Sequence, residues 1–268
     1  MTMKKQEIQA EAKRLHKAEK SRKQVEATTV SYPDMEIKDS YKIQKAWMEL
    51  KKKEGRKVVG HKIGLTSRAM QKNMGIEEPD YGCLLDDMVF EEGTSIETAA
   101  FLDPKIEVEL AFVLKDKLNG ADVSITAVLN ATDYVIPALE LIAARSYRVH
   151  PQTGYRRTVR DTISDNAANA GIILGGRPMR PDDLDLRWVG AMMSRNGVIE
   201  ESGVSGAVLN HPAKGIAWLA QKYAAHGMAL EAGQIILAGS FTRPVDVRAG
   251  DTFVVDYGEM GTISCYFS

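Results

Sequence analysis

Lys105-Ile106-Glu107-Val108-Glu109-Leu110-Ala111-Phe112 decides how the chain is read. Apolar residues at 106, 108 and 110 alternate with acids at 107 and 109, which is the period of a β-strand. Glu107 and Glu109 therefore share one face of that strand, and Ile106, Val108 and Leu110 share the other. Two carboxylates side by side in an apolar strand repel each other and are costly to desolvate. Either the strand is an edge with two solvated glutamates, or a hard divalent cation such as Mg²⁺ or Mn²⁺ answers both.

A third acid bears on that choice. Tyr134–Ile142 is nearly all apolar apart from Glu140. A glutamate in a buried run needs a partner; Arg145 is near enough in sequence to be one, and a shared cation is the other. Three acids on two adjacent strands would form an open octahedral site with positions left for substrate and water. A further stretch, Gly60-His61-Lys62-Ile63-Gly64-Leu65-Thr66-Ser67, sets Lys62 between two glycines and among apolar residues. Partial burial would lower its pKa and suit it to proton transfer or oxyanion stabilisation; a lysine reaching to solvent is the alternative. His61 alternates to the opposite face and reads as structural or rim-exposed.

Working outward, residues 1–25 carry Ile8, Ala12, Leu15 and Ala18 at helical spacing beneath a basic face, so they read as an amphipathic helix. A second helix is expected over Ile37–Lys53 with Gly55 as its stop, then a strand over Val58–Gly64 and a short helix capped by Thr66 or Ser67 before Gly75. Strands are expected over 106–114, 134–142, 171–174, 187–194, 198–201, 234–239, 252–257 and 262–267. Asn196-Gly197 signals a type I′ hairpin. Asn210, Pro212 and the stripe Ile216, Leu219, Ala220 and Tyr223 mark one helix among these strands. The organisation expected is a mainly helical segment over 1–75 and a β-rich domain over 76–268, working as one unit.

The chain has 268 residues, with 35 Lys and Arg against 36 Asp and Glu. Its apolar content and charge balance exclude disorder, and ordinary Gly and Pro numbers exclude a collagen-like chain. Near-neutrality argues against nucleic acid or an anionic membrane as partner, leaving only the basic first helix to suggest the former. Cys83 and Cys265 cannot build a disulfide framework or a zinc site. With no signal peptide and no membrane-length apolar run, a soluble cytoplasmic protein is expected. Nucleophile elbow, P-loop, GxGxxG and HExxH motifs are missing, which weakens hydrolase-triad, nucleotide and dinucleotide readings. Two polar stretches could line a pocket or merely form turns: Arg160–Gly171, with Ser164, Asp165 and Asn166, and Gly239–Pro244, with Ser240 and Thr242.

Taken together, GHKIGLTS (60–67), EPDYGCLLDD (78–87), KIEVELAFVL (105–114), ATDYVIPALELI (131–142), DTISDNAANAGIILGG (161–176), LNHPAKGIAWLA (209–220) and VVDYGEMGTISCYF (254–267) resemble the fumarylacetoacetate hydrolase-like superfamily, within its 2-oxo-acid hydratase and decarboxylase branch. The resemblance spans nearly the whole chain. It implies an α+β fold with a mixed β-roll or barrel, an N-terminal helical segment and a homo-oligomer. It also implies Mg²⁺ or Mn²⁺ held by Glu107, Glu109 and Glu140, with Lys62 and Asp80 as catalytic groups. The activity implied is that of a hydro-lyase of aromatic catabolism, adding water to a seven-carbon unsaturated 2-oxo-diacid.

Such a diacid carries a second carboxylate, and the basic loop between Arg145 and Arg160 offers Arg156 and Arg157 as a distal clamp. The rival activity is decarboxylation of a 2-oxo-3-enedioate on the same metal and lysine. Hydrolysis of an acylpyruvate is a weaker option. The non-enzyme reading is a partner subunit of a pathway enzyme, for which degenerate ligands would be expected.

Overall fold

The computed structural model describes residues 3–68, 71–72 and 75–268. In chain order its helices and strands are α1 (Lys5–Ser21), α2 (Thr28–Ser31), α3 (Ile37–Lys53), β1 (Val58–Gly64), β2 (Asp80–Leu85), β3 (Val89–Glu91), β4 (Ser95–Ile96), β5 (Lys105–Leu114), α4 (Ile125–Ala131), β6 (Thr132–Ile142), α5 (Val159–Ser164), β7 (Asn169–Leu174), β8 (Gly190–Arg195), β9 (Val198–Val204), α6 (Ala213–Ala224), β10 (Ile235–Leu237), β11 (Val245–Asp246), β12 (Thr252–Asp256) and β13 (Thr262–Phe267).

α1 buries Ile8, Ala12, Leu15 and Ala18, the stripe that its sequence spacing defines. It packs on α3 around Trp47 and Ile43, and this small core closes over Leu85 and Met88. α3 ends at Lys53, and Gly55 follows at φ +94, a left-handed turn that glycine makes without steric cost. α3 thereby runs along β2, with Tyr41 stacked on Tyr81 and Trp47 clustered with Leu85.

One sheet has the order β2-β1-β10-β5-β6-β7-β3, with β11 also pairing β5; the other has the order β4-β13-β12-β8-β9. β1 lies inside the large sheet, parallel to β10 and antiparallel to β2, although it precedes the boundary expected at residue 75. The apolar face of β5 (Ile106, Val108, Leu110, Phe112) meets Phe253, Val255, Ile263 and Phe267 of the second sheet in one core. That burial turns Glu107 and Glu109 toward the opposite face. The Asn196-Gly197 turn has φ of 55° and 82°, as a type I′ hairpin requires, and joins Arg195 to Val198 across β8 and β9.

Three local expectations need correction. Two short helices, α4 and α5, also interrupt the strands. The stretch from Arg160 is α5 followed by a tight turn, because the Thr158 and Asp161 side chains cap the helix reciprocally. Asn210 does not cap α6: it sits at φ 70, Pro212 occupies the cap, and His211 Nδ1 accepts from the Ala213 N–H at 3.1 Å. The short helix expected before Gly75 falls largely outside the described residues; Gln71 N–H donates to the Ser67 carbonyl at 3.0 Å. Among the described residues no helix is long and apolar enough to cross a membrane.

Candidate functional site

The antiparallel register of β5 and β6 sets Glu107 directly opposite Glu140, and Glu109 opposite Ala138. Directly opposed residues share a face, and residues two apart on a strand do too. All three carboxylates consequently converge, with a ligand oxygen from each within 4.8 Å of the others. Glu109 and Glu140 are fully buried.

Glu109 and Glu140 are held by different elements. Glu109 Oε2 accepts the Gly239 N–H at 2.8 Å, from the loop after β10. The Tyr257 hydroxyl donates to the carbonyls of Glu109 (3.2 Å) and Ala138 (2.7 Å), pinning the backbones of both strands. Glu140 Oε1 accepts from Asn169 Nδ2 at 2.8 Å. Lys62 Nζ stands 3.3 Å from Glu140 Oε2 but off the hydrogen-bond line, so that oxygen is buried without a hydrogen-bond partner. Lys62 donates instead to the Ala167 carbonyl at 3.1 Å.

Asp80 completes the group. It pairs with Gly64 across β1 and β2, and its buried Oδ1 has no hydrogen-bond partner. A Cβ at Gly64 would stand 2.3 Å from Asp80 Oδ1 and 3.0 Å from Lys62 Nζ. Only glycine leaves room there for both side chains.

The electrostatics follow from this crowding. Burial, reinforced by Glu140, pushes Glu107 up to about 7 and Glu109 well above the usual carboxylate range. Burial likewise raises Asp80 to about 6. Burial alone would lower the Lys62 ammonium, but the Glu140, Asp80, Glu107 and Glu109 carboxylates outweigh it and hold Lys62 above the ordinary lysine value. The lowered lysine expected from sequence is thus corrected: its neighbours are acids from three other strands. Four carboxylates face one ammonium, and two buried carboxylate oxygens lack partners. An all-oxygen donor set with that charge excess fits a hard divalent cation.

The remaining site expectations divide. Arg145 does not meet Glu140; it grips Asp165 through Nε at 2.5 Å and donates to the Asp165 and Asn169 carbonyls. Asp165 also takes Arg157 at 3.0 Å, Asn166 bonds Cys83 through both side-chain atoms, and the Ser164 hydroxyl donates to the Arg160 carbonyl. These three side chains are engaged in holding the turn before β7. Ser240 donates to the Thr242 carbonyl, and Thr242 Oγ1 accepts from Val108 N–H, beside Glu109 on the same strand. Arg156 is exposed, whereas Arg157 has only 6% of its side chain exposed. His61 is structural: it is buried, 3.0 Å from the Tyr223 hydroxyl.

Sequence reading missed Gly239, Asn169 and the Ala167 carbonyl as supports of the site. All three lie in polar stretches it had singled out, but no spacing rule says which atoms turn inward.

Fold and site define a class: a two-sheet α+β protein with a three-carboxylate centre beside a buried lysine. The fumarylacetoacetate (FAA) hydrolase C-terminal family model matches residues 55–267, and the chain belongs to this family. It is 62% identical over 256 residues, 96% of each chain, to 2-oxo-hept-4-ene-1,7-dioate hydratase of Escherichia coli. Among solved structures it resembles 4-oxalocrotonate decarboxylase from Pseudomonas putida G7 complexed with magnesium and adipate, at TM-score 0.94, 33% identity and 99% coverage of both chains. The same decarboxylase complexed with calcium and acetate gives TM-score 0.93 at 34% identity, again covering 99% of each chain.

Proposed function

We propose that the chain is a divalent-metal-dependent hydratase acting on 2-oxohept-4-ene-1,7-dioate and its dienol, 2-hydroxyhepta-2,4-diene-1,7-dioate. The product is 4-hydroxy-2-oxoheptanedioate. The observation that carries this reading is the convergence of Glu107, Glu109 and Glu140 beside Lys62, in a chain closely similar to a hydratase of that substrate.

A divalent cation held by the three glutamates would offset the negative charge that develops on the substrate's C2 oxygen. The protein groups divide the remaining work. Protonation of the dienol at C5 with loss of the C2 hydroxyl proton leaves a C3=C4 bond conjugated to the C2 carbonyl. Water oxygen then adds at C4 as water gives up a proton, and the resulting enolate takes a proton at C3. Lys62, whose ammonium bonds the Ala167 carbonyl, would donate toward developing negative charge. Asp80, a buried carboxyl raised to about 6, suits the transfer of protons to and from carbon and water. Burial of Lys62, Asp80, Glu109 and Glu140 keeps bulk water from competing. Arg157 is the candidate for the distal carboxylate, since Arg156 points to solvent.

Turnover of 2-hydroxyhepta-2,4-diene-1,7-dioate with Mg²⁺, followed by loss of the conjugated chromophore and by product mass, tests the reading. The hydrated diacid is expected, and Glu107→Gln should abolish metal-dependent turnover with its fold intact. Release of CO₂ instead would favour a decarboxylase; full activity in Glu107→Gln would sink the metal assignment.

A further inference from the structure

Asn169 opens β7 directly after a run of three left-handed residues, Asn166, Ala167 and Ala168, at φ 54°, 50° and 64°. Non-glycine residues adopt that conformation at a steric cost, and three in succession persist only where the surroundings enforce them. Here Asn166 clamps both backbone groups of Cys83, while Arg145 holds the Asp165 and Asn169 carbonyls from behind. The forced turn delivers two groups to the acids: the Ala167 carbonyl to Lys62, and the Asn169 amide to Glu140.

Glu140 is thereby split into two unlike oxygens. Oε1 is occupied by Asn169 Nδ2, and Oε2, 3.3 Å from the Lys62 ammonium, is buried with no hydrogen bond. The amide orientation is dictated, because a flipped Asn169 would point its oxygen at a carboxylate. Asn169 is itself fully buried, so water does not compete for that bond.

We propose that Asn169 sets the ion selectivity of the centre by holding Glu140 to single-oxygen coordination through Oε2. The inference rests on the reading that the three glutamates hold a divalent cation. Mg²⁺ demands six short, separately placed oxygen ligands, whereas Ca²⁺ accepts six to eight and readily takes both oxygens of one carboxylate. A Glu140 restrained to one oxygen favours the smaller ion. A Glu140 freed to rotate offers two and favours the larger. Asn169 is a positioning residue in this role; it acts through Glu140.

The test is titration calorimetry of metal-free wild type, Asn169→Ala and the near-isosteric Asn169→Leu with Mg²⁺ and with Ca²⁺, alongside thermal melts of each metal-free protein. Removing the amide should weaken Mg²⁺ binding by about tenfold or more, as loss of an outer partner of a metal ligand does. Ca²⁺ binding should fall less, so the Mg²⁺-to-Ca²⁺ affinity ratio drops in both variants. A lowered melting midpoint with an unchanged ratio would mean that Asn169 merely packs the turn, and overturns the proposal. Failure of the wild-type protein to bind either ion overturns the metal reading beneath it, and the selectivity role with it.

Discussion

Arg157 carries a charge into the protein with only part of its hydrogen-bonding capacity used. One amino group serves Asp165 and the Ser146 carbonyl, at 3.0 and 3.3 Å, while Nε and the other amino group find no acceptor among the described residues. Burial lowers this guanidinium to about 10, and its charge reaches Asp80. Open donors on a buried cation suit a carboxylate, which can take them in pairs. Neighbouring Arg148 is occupied by Asp103, and Arg156 lies exposed. Arg157→Ala should therefore raise KM for 2-hydroxyhepta-2,4-diene-1,7-dioate by about tenfold or more, as expected for a lost charge-assisted bond. KM for the monoacid 2-hydroxypenta-2,4-dienoate should move far less, and Arg156→Ala should alter neither. Steady-state kinetics on the two substrates checks this; equal losses on both would remove Arg157 from the substrate site.

At the scale of elements, the turn from Asp165 to Asn169 is where local structure and chemistry meet. Its left-handed residues cost roughly 1–2 kcal/mol each, which their side-chain and backbone anchors offset. It also needs a neighbour without a side chain: a Cβ at Gly82 would stand 2.5 Å from the Asn166 carbonyl oxygen. Gly82→Ala is expected to lose about 1–3 kcal/mol of stability, as overpacking does, and to weaken Mg²⁺ binding, because the displaced turn carries Asn169. Gly197→Ala is the matched control. At φ +82 with open space around it, it should lose about 1–2 kcal/mol and leave Mg²⁺ binding unchanged. Denaturant melts and calorimetry distinguish the pair. Gly197 was legible in the sequence because a hairpin turn is a local backbone matter. Gly82 was not, since the atom it accommodates lies 84 residues away along the chain, at Asn166.

For the molecule as a whole, a cation held at the acidic centre would couple folding to ion binding. A site built from β1, β2, β5 and β6 exists only when the large sheet is assembled, so a cation that occupies it binds the folded state alone. At a hundredfold excess over its dissociation constant, such a ligand stabilises by about 2.7 kcal/mol. For a chain of this size that corresponds to a rise of roughly 5–10 °C in Tm. Scanning fluorimetry with and without Mg²⁺ measures it, and Glu107→Gln should lose most of the shift. Identical midpoints with and without the ion in wild type would contradict the linkage.

What the sequence by itself determined is whatever depends on near neighbours along the chain. The alternation of β5 and the stripe of α1 express backbone geometry that repeats every two or 3.6 residues, and the Asn196-Gly197 turn is equally local. That periodicity alone put Glu107 and Glu109 on one face. The motifs scattered along the chain pointed to the family besides. Only the tertiary structure decided which groups answer Glu140: Lys62 and Asn169, arriving on β1 and β7, rather than the nearby Arg145. It likewise reversed the expected shift of Lys62 by bringing four carboxylates around it. The physical reason is that Coulomb interactions and desolvation depend on distance and burial in space, and neither follows from spacing in sequence.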